Sequence, residues 1–201
     1  MQVRYVLLRF SLMICVVIIT GLSSNLTAQV YRMGAGLCFG SGFQYNSSEM
    51  GNPGFKVKTW VALNKRSTIH IVPTITVFNR NLRDAGSYTI SNYMYMGDVD
   101  GQFVVFHEGT LKIVAFGGGN VTYLNSVIAQ VDKKYPIADH APDNQSEVVV
   151  GGNLGAGLEL RMASHWDMNV SGKYILSKYS QFIISIEGVY YFKSRRRAYR
   201  R

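Results

Sequence analysis

The 201-residue chain holds 21 Lys and Arg against 12 Asp and Glu, a formal charge of +9 and a pI near 9.6. That excess suggests nucleic-acid binding, but eight of the bases lie at two ends: Arg4 and Arg9 in residues 1–28, and Lys193, Arg195, Arg196, Arg197, Arg200 and Arg201 in residues 193–201, with no acid in either segment. The 13 bases and 12 acids left in residues 29–192 balance to +1, which excludes a nucleic-acid-binding body, and two cysteines exclude a disulfide scaffold.

Residues 1–28 read as a secretory signal peptide. Arg4 and Arg9 precede the apolar run FSLMICVVII, and the small, polar stretch TGLSSNLTAQ follows, with cleavage expected after Ala28. The run is shorter than the roughly 20 residues that a helix needs to cross a bilayer. Cys15 follows Ile14 rather than a small residue, so no lipid-modified cysteine is expected. Removal of the leader leaves Cys38 as the one thiol of residues 29–201.

From Tyr31 the chain alternates with period two, which a helix cannot match. Tyr31, Met33, Leu37, Phe39 and Phe43 fall on one face, and Arg32, Gly34, Gly36, Cys38 and Gly40 on the other. Seven more segments do the same, at residues 55–64, 69–78, 93–106, 111–123, 148–162, 166–176 and 182–192, and no helix is expected among them. Pro73 falls inside the third strand, where it removes a ladder donor and predicts a bulge. Met94 and Met96 fall on the otherwise polar face of the fourth.

The connections alternate as well. NKRS, FHEGT and ASH are tight turns after strands two, four and six, whereas NSSEMGNPG, NRNLRDAGSYTISN and NSVIAQVDKKYPIADHAPDNQSE are long polar loops after strands one, three and five, and the link after strand seven, SKY, is short. Short turns at one end and long loops at the other predict an all-β, eight-stranded antiparallel up-and-down transmembrane barrel over residues 29–192, with residues 193–201 as a basic tail. A soluble lipocalin-type lipid-binding barrel has the same period with the apolar face inward. Charge counting favours the membrane barrel: Lys56, Lys58, Lys112, Arg161 and Lys173 share the polar faces with Asp98, Asp100, Glu159, Asp167 and Glu187, equal numbers that can pair in a narrow lumen. Glu159, Arg161, Lys173 and Glu187 are the expected centre of that network. Tyr31, Tyr45, Tyr123, Trp166, Tyr174 and Phe192 lie near strand ends on the opposite face, where rings suit a bilayer boundary.

Over residues 30–192 the chain resembles the small eight-stranded outer-membrane barrels of the OmpA/OmpX type, in the form common in Bacteroidetes. The likeness is strongest in GGNLGAGLELRMASHWDMNVSGKY and in the last strand ending at Phe192. Such barrels usually stop at that aromatic residue, which the assembly machinery reads, whereas this chain continues for nine residues. The resemblance implies the outer membrane of a Gram-negative bacterium, lipid and barrel-assembly contacts, and a role in surface contact, narrow conduction or envelope assembly, with no role assigned residue by residue.

No catalytic constellation stands out. None of His70, His107, His140 and His165 is followed two residues on by Ser, the spacing found in a lipid A deacylase, and Ser164 and His165 occupy a tight turn. The glycine runs lie within strands, not at the helix start that a phosphate loop requires. No cofactor and no metal are expected, although Asp139, His140 and Asp143 gather in the longest loop. That loop, with Lys133, Lys134 and Tyr135, is the candidate contact for an extracellular partner. The expected function is a non-enzymatic surface barrel with a closed, charge-paired lumen, and the alternative is a small solute or ion channel.

Overall fold

The computed structural model describes residues 30–41, 50–63, 68–84, 88–130 and 145–192, so the leader and the tail lie outside the described residues. The strands are β1 Val30–Ser41, β2 Met50–Ala62, β3 Ile69–Asp84, β4 Tyr88–Glu108, β5 Leu111–Gln130, β6 Gln145–Arg161, β7 Trp166–Leu176 and β8 Gln181–Tyr191. Each pairs antiparallel with the next, and β1 closes on β8 from Arg32↔Tyr191 to Gly40↔Ile183, giving a closed barrel. Closure follows from the period: every strand is apolar outward over this height, so an open edge would leave backbone groups unpaired in an apolar medium.

Side chains fall inward and outward as the alternation requires. In β8, Gln181, Ile183, Ser185, Glu187, Val189 and Tyr191 are buried, and the residues between them face out. The distribution is that of a soluble protein turned inside out. Ile75, Val150 and Leu154 are 67%, 71% and 66% exposed, while Lys173 and Glu187 are at 2% and 1%. An exterior of this kind forms a continuous apolar surface, far from the scattered apolar residues of a water-soluble protein. It fits the bilayer interior and corrects the soluble lipocalin-type alternative. The 11 residues of β7 and of β8 match the length that a tilted strand needs to cross.

The turns after β2, β4 and β6, with the start of β1 and the end of β8, form one rim, here the lower one, and the short β7–β8 turn lies at the other. Gly109 makes the β4–β5 turn at φ 54°, a left-handed conformation that glycine adopts without steric cost. The opposite, upper rim is uneven: β4 and β5 have 21 and 20 residues against 12 for β1, so the β3–β6 wall stands higher than the rest.

Three expectations are revised. First, parts of the long loops are strand, since β3 continues to Asp84, β4 starts at Tyr88, β5 reaches Gln130 and β6 starts at Gln145. Second, Pro73 makes no bulge. The β2–β3 pairing passes from Lys58↔Thr74 to Val61↔Ile71 without a shift, and Pro73 still pairs with Val99 of β4, so its missing donor points towards β2 and costs only local bonds. The bulges fall elsewhere, including Phe78/Asn81 and Val104/Phe106. Third, Tyr31 does not join the outer aromatic band. A register shift between Val30 and Arg32 turns it inward, where its hydroxyl lies 2.6 Å from Nε2 of His70.

Candidate functional site

The lumen is the candidate site, and its polar section lies between two apolar clusters. Towards the upper rim, Cys38, Phe78, Met94, Met96, Leu124, Val149, Ile175 and Ile183 pack together, with Tyr179 against them. This gives Met94 and Met96 their place: they face the lumen, in its apolar section. Towards the lower rim, Trp60, Val72, Val189 and Tyr191 form a second cluster against which Tyr31 packs.

Ion pairs and hydrogen bonds fill the section between them as three linked groups. In the first, Arg32 Nη1 lies 2.6 Å from Glu159 Oε2, and Lys112 Nζ lies 3.8 Å from the same oxygen. Gln102 donates to Glu159 Oε1 at 3.1 Å and accepts from Trp60 Nε1 at 2.7 Å. The Arg32 guanidinium lies 4.2 Å above the Trp60 ring and donates to the Tyr191 hydroxyl, which donates to Asp167 Oδ2 at 2.8 Å. In the second group Lys56 and Lys58 share the Glu187 carboxylate, and they also donate to Ser185 Oγ and Asn169 Oδ1, each at 3.1 Å. In the third, Lys173 Nζ is 2.6 Å from Asp98 Oδ2 and 3.7 Å from Asp100 Oδ2, while Asn120 and Asn153 donate to Asp98 Oδ1.

Of the residues assigned to the lumen from sequence, Lys56, Lys58, Asp98, Asp100, Glu159, Asp167, Lys173 and Glu187 are buried, and Lys112 is partly so. Arg161 is the correction. It sits half-buried at the lower end of β6 and joins no ion pair among the described residues. The cation on Glu159 is instead Arg32, which shares the polar face of β1 with Gly34, Gly36 and Cys38, so parity alone could have found it. With Arg32 counted, the enclosed charges are Arg32, Lys56, Lys58, Lys112 and Lys173 against Asp98, Asp100, Glu159, Asp167 and Glu187, five of each sign. Neutrality is what allows so many ions to be buried, because an unpaired ion in this setting would be driven to change protonation.

A cavity of about 20 Å³, bordered by Lys56, Lys58, Asp100, Gln102 and Lys173 among others, has room for about one water molecule. No group of three His, Cys, Asp or Glu side chains among the described residues could hold a metal ion. The loop residues Lys133, Lys134, Tyr135, Asp139, His140 and Asp143 lie outside the described residues, as does the tail.

No protein-family model matches the chain, and no curated protein matches it. Solved structures do. Neisserial surface protein A superposes with a TM-score of 0.58 at 10% identity, over 83% of this chain and 100% of its own. The N-terminal barrel domain of Pseudomonas aeruginosa OprF gives 0.55 at 9%, over 83% and 100%. The attachment invasion locus protein Ail of Yersinia pestis gives 0.52 at 11%, over 81% and 99%. The fold of this chain is therefore that of the small eight-stranded outer-membrane barrels.

Proposed function

We propose that the chain is a non-enzymatic outer-membrane protein of a Gram-negative bacterium, with a closed lumen and an upper rim that contacts partners outside the cell. The observation that carries this reading is the inside-out distribution of side chains: an apolar exterior around a neutral lumen of five cations and five anions. Ion pairs that satisfy one another have little capacity to act on a substrate, and two apolar clusters stand between them and the ends of the barrel. The raised β3–β6 wall supports the contact role, since the strand ends Gln130 and Gln145, which flank the longest connection, stand on it. Neisserial surface protein A and the attachment invasion locus protein Ail use the same fold.

Envelope fractionation combined with heat-modifiable gel migration tests address and architecture together. The expected result is a chain in the outer-membrane fraction whose unboiled band runs faster than its boiled one. Planar-bilayer recording separates a closed lumen from a channel. Steady conductance steps from the purified barrel would move the reading to a small solute or ion channel.

A further inference from the structure

The turn that joins β6 to β7 is tied to the end of β8. Met162 and Ala163 donate their backbone N–H to the Trp166 carbonyl at 3.0 and 2.9 Å, and Tyr191 N–H donates to the His165 carbonyl at 2.9 Å. The His165 ring is held as well. Its Nδ1 lies 2.9 Å from the Tyr191 carbonyl oxygen, and the imidazole stacks on the Tyr190 ring with centroids 5.8 Å apart and planes 20° from parallel. A carbonyl oxygen can only accept, so Nδ1 carries the proton and Nε2 of the neutral ring is a bare acceptor.

Two further rings complete the cluster. Trp166 and Tyr190 are partners in the β7–β8 register, with ring centroids 5.1 Å apart, and Phe192 meets Tyr190 edge-on at 5.9 Å. Trp166 and Tyr190 face outward at 52% and 38% exposure. They stand at the lower end of the apolar exterior, the height at which rings meet lipid headgroups. The indole N–H of Trp166, the Tyr190 hydroxyl and His165 Nε2 have no hydrogen-bond partner among the described residues. Trp60, the other tryptophan, differs: its Nε1 donates to Gln102 inside the lumen at 2.7 Å. The outer cluster therefore offers two O–H or N–H donors and one nitrogen acceptor on a framework of stacked rings.

We propose that His165, Trp166 and Tyr190 form a headgroup site for a phospholipid with a primary ammonium, of the phosphatidylethanolamine class, in the leaflet beside the lower rim. The inference rests on the outer-membrane reading above and adds its lipid selectivity. Phosphate oxygens accept from the Trp166 indole and the Tyr190 hydroxyl, a contact that every phospholipid can make. The ammonium is what selects. It donates to His165 Nε2 and gains from the neighbouring ring faces, where cation–π attraction at an exposed site is worth about two- to fivefold in affinity. The trimethylated ammonium of phosphatidylcholine keeps the ring contact and has no N–H to donate. The glycerol headgroup of phosphatidylglycerol brings hydroxyls and no cation.

The test places the full barrel in phosphatidylcholine nanodiscs, replaces that lipid stepwise by phosphatidylethanolamine or phosphatidylglycerol, and follows the nitrogen-15 signals of the two indoles and the His165 ring. With phosphatidylethanolamine, the His165 Nε2 and Trp166 signals should reach half their full change near one molecule to about five of phosphatidylcholine, a preference of about fivefold. The Trp60 indole, enclosed in the lumen, should stay in place as the internal control. Phosphatidylglycerol should reach half change only near equal amounts. His165→Phe keeps a ring on Tyr190 and removes the acceptor, so the Trp166 response to phosphatidylethanolamine should move towards equal amounts. In the wild-type chain the N-methylated headgroup, which still donates, should retain the preference. Half change at equal amounts of phosphatidylethanolamine and phosphatidylcholine, the same preference for phosphatidylglycerol, loss of the preference on a single N-methylation, or a preference unchanged in His165→Phe overturns the site. Heat-modifiable migration of the same samples distinguishes these outcomes from failure of the membrane reading, which would show as no folded band in any lipid.

Discussion

Arg32 and Glu159 stand 127 positions apart in the chain, yet the guanidinium of one meets the carboxylate of the other at 2.6 Å with both side chains 1% exposed. The pair ties β1 to β6 across the lumen, and the Trp60 ring caps the guanidinium. Its worth lies in mutual dependence rather than in net stabilisation, because desolvation of two ions offsets most of their attraction.

Removing one partner should therefore cost much more than removing both. Arg32→Ala leaves Glu159 with Lys112 at 3.8 Å and Gln102, and a loss of about 3–5 kcal/mol is expected. Arg32→Met combined with Glu159→Leu should recover most of that loss. Urea titration of the folded fraction, read by heat-modifiable migration, compares the three. Equal losses for single and double variants would count against a coupled pair.

Two glycines should respond differently to alanine. Gly36 of β1 faces the lumen against β8, where an added Cβ would collide with the Ile186 carbonyl oxygen and lie 2.5 Å from Cα of Glu187. Backbone cannot rotate away as a side chain can, so Gly36→Ala should destabilise the closing seam by about 1–3 kcal/mol or more. Gly119 of β5 has nothing within 4 Å of the same added atom, and Gly119→Ala should stay within about 0.5 kcal/mol. The same urea titration reads both.

How far these features could be read from sequence depends on what the pattern encodes. In β8 the alternation is unbroken, so its boundaries and faces were legible to within a residue. The upper parts of β3 and β4 were not, because residues 79–84 and 88–92 hold only Leu82, Tyr88 and Ile90 as apolar residues, too few to mark the alternation that identifies a strand. Parity placed Lys58, Glu187 and Lys173 in the lumen, but it does not say which residue meets which. That depends on strand tilt and stagger, which bring Lys58 of β2 to Glu187 of β8 and leave Arg161 at a rim. Tyr31 was misplaced for a different reason: one shift of register reverses the faces, and nothing in VYRMG announces it.

Cys38 offers a probe of lumen closure from the upper side. Its thiol is fully buried in the upper apolar cluster beside Phe78, Met94 and Ile183. In a chain starting at Gln29 it is the one thiol, so maleimide labelling reports a single site. The folded barrel should resist the reagent and the urea-unfolded chain should label fully. Met94→Ala together with Met96→Ala should admit the reagent to the folded barrel, because two side chains of the cluster are cut back while the wall is kept. Rapid labelling of the folded wild-type chain would show that the cluster does not seal the lumen.

Glu147 sets a pH response at the upper rim, outside the apolar band and above Gly152, where the pairing of β6 with β7 ends. Its carboxylate accepts from Lys178 Nζ at 2.6 Å and from the Tyr179 hydroxyl at 2.8 Å, and Tyr179 in turn packs on the upper apolar cluster. The Lys178 hydrogen bond, followed by that of Tyr179, holds the Glu147 carboxyl below its ordinary value of 4.5, and the same contact raises Lys178 above 10.5. A depressed carboxyl contributes stability that is fully present above pH 4.5 and is lost as pH falls through the lower, folded value. A raised ammonium contributes stability that is fully present below pH 10.5 and is lost as pH rises through its higher, folded value. The contact is therefore intact between those limits and released by acid. Carbon-13 NMR titration of the glutamate carboxyls in nanodiscs should place the Glu147 midpoint below 4.5. Lys178→Ala should raise it part of the way back, with Tyr179→Phe completing the return. Both groups are solvent-exposed, so high salt should weaken the shift even in the wild-type chain. A midpoint indifferent to Lys178→Ala would show that the β7–β8 turn is not held to β6 through this carboxylate.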